Sequence, residues 1–97
     1  MLSKIPIDLN RIKENDLDKE ILRSAMIAEL DAINLYEQMA GMTENKSIGK
    51  LLLDVAREEK THVGEFEALL LTEDKQQKEE LEEGKKEVKE IMMGSKK

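Results

Sequence analysis

Two long helical stretches of this chain each place a carboxylate where the apolar stripe calls for a leucine. That conflict limits what the chain can fold into. In the second stretch, Ile48, Leu52, Val55, Phe66 and Leu69 or Leu70 recur at steps of three and four, the spacing of one helix face. The same stripe runs through Glu59 and His62, which is the only histidine. In the first stretch the stripe is Leu17, Ile21, Leu22, Ala25, Met26, Ala32, Ile33, Tyr36, Met39 and Ala40, with Glu29 four residues after Ala25 and four before Ile33. Taking an ionised carboxylate out of water is costly unless a partner compensates. A metal ion would satisfy both carboxylates and the imidazole at once.

Punctuation along the chain sets the architecture. Residues 1–14 read as an irregular leader, because Pro6 disfavours helix before it and Asp8 and Asn10 are turn formers. Asp16 is the expected N-cap of a helix over about 17–40, which should stop at Gly41. Thr43 or Asn45 should cap a second helix over about 46–71. So short a turn forces the two helices antiparallel. Glu29 lies 12 residues before Gly41 and Glu59 lies 14 after Asn45, so Glu29, Glu59 and His62 fall in one layer. Thr72-Glu73-Asp74 should break the pattern before a third helix over about 75–93, in which Leu81, Val88, Ile91 and Met92 keep helical spacing. Gly84 inside it costs about 1 kcal/mol against alanine, so this helix is expected to be the least stable and to dock on a neighbour. Residues 94–97 read as a tail. The expected fold is all-α: one domain over 15–93, built as an antiparallel two-helix hairpin plus a shorter C-terminal helix.

Composition bounds the function. With 97 residues, 39% of them charged, and only Tyr36 and Phe66 aromatic, the chain has little apolar surface to bury alone. Part of its core is therefore expected from a second copy. A net charge of −6 with interleaved Lys and Arg argues against nucleic acid. No apolar run is long enough to span a bilayer, and the leader lacks the long apolar segment of a signal peptide, so a cytoplasmic protein is expected. The absence of cysteine removes disulfides, thiolate chemistry and cysteine-ligated zinc or iron–sulfur sites.

Glu-x-x-His on one helix, facing a Glu on another, is the half-site of dinuclear carboxylate bundles, in which two irons or manganese ions are held by two such sets. One chain supplies one set: Glu29, Glu59 and His62. Tyr36 lies two turns beyond Glu29, either as an ordinary core tyrosine or as a hydrogen-bonding neighbour of a ligand. The methionines read as packing, and the run from Lys75 to Lys89 as a solvated face. A metal-free helical module, with His62 and Glu59 paired at a dimer interface, would also account for the pattern.

The segments Ile27–Ala40 and Leu53–Phe66, which carry these residues, resemble the encapsulated ferritins, most closely the archaeal type fused to the front of the encapsulin shell protein. The resemblance spans roughly residues 15–90. It implies helical hairpins that dimerise into a ferritin-like four-helix bundle, with one di-iron ferroxidase centre across the two-fold axis. By match, Glu29, Glu59 and His62 would be the iron ligands, Glu59 bridging, with Tyr36 beside them. Dimers would close into a ring-like decamer, oxidising Fe(II) to Fe(III) with O2 inside an encapsulin nanocompartment whose shell stores the mineral. Two features depart from the family. The paired acids that gather metal outside the centre correspond to Ala28 and Asp31, so that role rests on Asp31 alone. The end of the chain, Ile91–Lys97, is only loosely like an encapsulin-targeting peptide, with Lys96 where a leucine is usual. A rubrerythrin-like peroxidase is the other reading of the same centre, and without cysteines it would need a separate electron donor.

Overall fold

The computed structural model describes residues 16–94. The leader over 1–14 and the end of the tail lie outside the described residues. Three helices follow one another: α1 (Leu17–Met42), α2 (Lys46–Glu73) and α3 (Lys75–Met92). α1 and α2 pack along their lengths as an antiparallel hairpin, and α3 makes only limited contact with it.

The turn between α1 and α2 is built by short polar side chains. The Thr43 N–H closes α1 on the Met39 carbonyl at 3.1 Å, and the Thr43 hydroxyl accepts from the Asn45 N–H at 3.1 Å. Asn45 caps α2 by accepting from the Ile48 N–H at 3.0 Å. α1 does not stop at Gly41. It runs through to Met42, because the glycine adopts ordinary helical geometry and Thr43 supplies the extended residue that ends the helix. Asp16 does not cap α1 through its side chain. Its backbone stays near helical values, and its carboxylate lies 3.8 Å from Lys19 instead.

The break between α2 and α3 is narrower than Thr72-Glu73-Asp74, consisting of Asp74 alone. Asp74 is buried and ties the junction together. Its N–H ends α2 on the Leu70 carbonyl at 2.9 Å, its Oδ1 accepts from the Gln77 N–H at 2.9 Å to cap α3, and its Oδ2 pairs with Arg23 of α1. The hydrogen bond from Gln77, helped by Lys19 and Arg23, holds the Asp74 carboxyl below the ordinary carboxylate value. At the far end, Gly94 takes φ +81° and its N–H closes α3 on the Ile91 carbonyl at 3.0 Å.

The single chain is short of core. Among the described residues the buried apolar ones are Ile33, Ala56 and Leu70, while Ile21, Ile27, Leu30, Leu51, Leu69 and Ile91 are among the large apolar side chains left exposed. Between Leu69 and Leu70 the hairpin selects Leu70, and Ala56, absent from the predicted stripe, is its most buried position. The radius of gyration is 17.0 Å, against about 12 Å for a compact domain of this length. The molecule measures 46 × 45 × 19 Å, so α3 leaves the hairpin axis rather than lying along it. Among the described residues the hairpin thus leaves its apolar flanks open.

Candidate metal centre

The α1–α2 packing decides the site. Ile33 on α1 and Ala56 on α2 are buried, and each lies within about a helical turn of a carboxylate: Ile33 four residues after Glu29, Ala56 three before Glu59. Glu29, Glu59 and His62 come together, each offering one ligand atom, with all three atoms within 4.8 Å of one another. His62 Nδ1 lies 2.6 Å from Glu29 Oε2 and 3.7 Å from Glu59 Oε1. The layer expected from chain positions is present as side-chain geometry.

The cluster is less buried than the stripe pattern requires. Glu29 and Glu59 are each 17% exposed at the side chain and His62 is 44% exposed. The reason is that the stripe on each helix is wider than one partner helix covers. Ile33 and Ala56 sit in the seam, and the cluster lies on its open edge.

The close approach of these groups shifts their titration. Glu59 is held above the ordinary carboxylate value, first by a hydrogen bond shared with Glu29 and then by burial. His62 is raised first by its hydrogen bond to Glu29, against the effect of burial and with the charges of Glu29, Glu59 and Glu65 adding. No lysine or arginine joins the group among the described ion pairs. Lys60 reaches across to Glu37 at 2.8 Å and Arg57 pairs with Asp54 at 2.8 Å. Two carboxylates and an imidazole with no Lys or Arg partner among the described residues form a donor set that fits a hard or borderline divalent metal such as Fe(II) or Mn(II).

Tyr36 is half-buried on α1, two turns beyond Glu29. Asp31 is half-buried on α1 and lies outside the three-residue cluster. Ala28 is half-buried and has no polar side chain to offer. Sequence reading passed over Glu65, which acts electrostatically on His62. The spacing Glu59-x-x-His62-x-x-Glu65 was the available signal, hidden by the abundance of glutamate in this chain.

Comparison with known proteins bears on the family and the fold. The Rubrerythrin family model matches residues 20–95. The chain is 59% identical over 93 residues to a ferritin-like–encapsulin shell fusion protein of Pyrococcus furiosus, covering 94% of this chain and 27% of that protein. It thus spans about a quarter of that relative's length. The crystal structure of the encapsulated ferritin domain from Pyrococcus furiosus superposes with a TM-score of 0.79 at 54% identity, covering 94% of this chain and 93% of that one. The hairpin, its third helix and these likenesses together establish that the chain belongs to the rubrerythrin family, among the encapsulated ferritin-like domains.

Proposed function

We propose that this domain is a ferroxidase that works as a homodimer, oxidising Fe(II) to Fe(III) with O2 at a di-iron site made from two copies of Glu29, Glu59 and His62. The observation that carries the proposal is the cluster itself: three ligand atoms within 4.8 Å on the open edge of a hairpin whose apolar flanks lack a partner. A single set is too few ligands for two metals, and a second hairpin laid on this face would supply the other set and cover the exposed side chains.

Each side chain has a role that follows from its placement. His62 presents Nδ1 toward the carboxylates, so this nitrogen is the one that would ligate once its proton leaves. Glu29 holds the His62 ring by the 2.6 Å hydrogen bond and would be the terminal oxygen ligand on α1. Glu59, 3.7 Å from His62 Nδ1 on the same helix, would supply the carboxylate from α2. Bound iron supplies the redox chemistry, the electrons passing from Fe(II) to O2. The protein supplies anionic oxygens that favour the Fe(III) product. Tyr36 would flank the site, and Asp31 would contribute only general negative charge.

By the same reading, dimers would close into a ring-shaped decamer and work with an encapsulin shell protein inside its nanocompartment in the cytoplasm. The Pyrococcus furiosus relative is named as a fusion of just these two parts, which supports the association. No described helix is long and apolar enough to cross a membrane. A peroxidase of the rubrerythrin kind is the second reading, favoured by the family match. Single-turnover oxidation of bound Fe(II) by O2 and by hydrogen peroxide separates them: a ferroxidase turns over with O2, and a strong preference for peroxide would reverse the assignment. Glu59→Ala and His62→Ala should each abolish rapid oxidation, and wild-type rates in both would overturn the site.

A further inference from the structure

A single residue separates α2 from α3. Asp74 holds φ −137° and ψ 91°, while Glu73 ends one helix and Lys75 begins the next. The backbone bonds on either side keep helical spacing. The Asp74 N–H donates to the Leu70 carbonyl at 2.9 Å, and the Lys78 N–H donates to the Asp74 carbonyl at 3.1 Å. Two dihedral angles therefore stand between the observed bend and one continuous helix from Lys46 to Met92. That helix would be about 70 Å long, against a longest extent of 46 Å for the molecule. Packing does little to hold the bend. No residue of α3 is buried, and its contact with α2 is limited. A groove of about 320 Å³ is lined by Gln77 and Leu81 of α3 together with Met26, Ile27 and Leu30 of α1, so the docking of α3 is loose.

The Asp74 side chain is what remains to hold it. Its Oδ1 accepts from the Gln77 N–H, a cap that asparagine or serine would supply as well. The cap does not account for a buried acid. Asp74 is the only buried polar residue among the described residues, and a carboxylate taken out of water needs a cation. Arg23 of α1 supplies it, donating from Nη2 to the second oxygen, Oδ2, of a residue 51 positions later. Lys19, one turn before Arg23, adds its charge. We infer that the Arg23–Asp74 pair is a latch that sets the direction of α3. Paired, it holds the bend; released, it lets α2 and α3 join into one helix. Joining gives the N–H groups of Lys75, Gln76 and Gln77 the carbonyl partners that a helix N-terminus lacks, which favours the straight form once the pair is gone. The latch is independent of the metal chemistry.

The test reads one distance. The chain has no cysteine, so Lys50→Cys on α2 and Lys85→Cys on α3, both at exposed positions, accept a pair of spin labels without competition. Along a continuous helix these positions are about 52 Å apart, and a bend near a right angle shortens this to about 40 Å. Labelled chains are diluted with unlabelled ones, so that pulsed electron paramagnetic resonance reads pairs within one chain. Wild type and Arg23→Lys, which keeps the cation, should show the short distance alone. Arg23 is 45% exposed at its side chain, so Arg23→Gln leaves the hairpin intact. That variant should raise the long population about tenfold or more, to at least about a tenth of the molecules. Asp74→Leu, which lacks both cap and pair, should move most of them to about 52 Å with no loss of far-UV helicity. A wild-type distribution in Arg23→Gln would overturn the inference whatever Asp74→Leu shows, because the cap alone would then hold the bend. So would a broad spread of shorter distances in both variants, with α3 swinging free rather than joining α2.

Discussion

Replacing Glu59 with leucine should make the metal-free protein more stable. Glu59 sits on an apolar stripe with 17% of its side chain exposed, and it carries a carboxyl raised by the neighbouring Glu29 and by burial. A leucine there keeps the helix propensity. It buries about four-fifths of an aliphatic side chain, worth about 1–2 kcal/mol when full burial of leucine is worth about 1.5–3 kcal/mol. It also separates Glu29 from a second carboxylate. For a domain of this size the gain corresponds to roughly 5–15 °C in Tm at fixed protein concentration. Metal should reverse the order. A ligand at a hundred times its Kd stabilises the wild type by about 2.7 kcal/mol, and Glu59→Leu should gain little. Thermal unfolding followed by far-UV circular dichroism, once with chelator and once with anaerobic Fe(II), reads both arms. A variant less stable than wild type under chelation would refute the reasoning, because Glu59 would then be holding the hairpin together rather than waiting for a metal.

Ala56, 1% exposed in the seam and one turn before Glu59, leaves no room for a larger side chain. Ala56→Leu should cost about 1–3 kcal/mol in chemical denaturation and weaken metal binding by spreading the helices at the site, and unchanged stability would place the closest approach elsewhere. Because Glu59 and His62 both have raised pKa values, protons compete with the metal at higher pH than ordinary carboxylates would allow. Mn(II) affinity should therefore fall as pH drops through the neutral-to-acid range, and binding should release protons, measurable by calorimetry in buffers of different ionisation enthalpy. Asp74 has a lowered pKa, so its stabilisation of the α2–α3 junction is fully present above its unfolded value near 3.8 and is lost as pH falls through the lower folded value. Amide exchange in α3 should quicken over that acid range in wild type, and Asp74→Asn should remove most of the pH dependence.

The hairpin and the layer of Glu29, Glu59 and His62 were legible in the sequence because each rests on a local regularity. Helical spacing marked the stripes, and the short turn around Asn45 placed the two midpoints opposite one another. What escaped depended on contacts between elements. Asp74 reads as a helix breaker, yet its buried position comes from Arg23, 51 residues earlier. Ala56 is the most buried position because it is small, a property that apolar periodicity undervalues. Gly41 looked like a stop and is not one, because α1 runs on through it to the polar turn at Thr43. The exposure of His62 is a property of how much of each stripe one partner helix covers, and spacing along the chain carries no measure of that.

The central claim is that one chain holds half of a dinuclear centre. Native mass spectrometry of the Fe(II)-loaded protein under anaerobic conditions tests it most directly. Iron should appear on dimers or larger multiples, at two ions per pair of chains, with monomers carrying none. Monomers that retain a full complement of iron would contradict the shared centre.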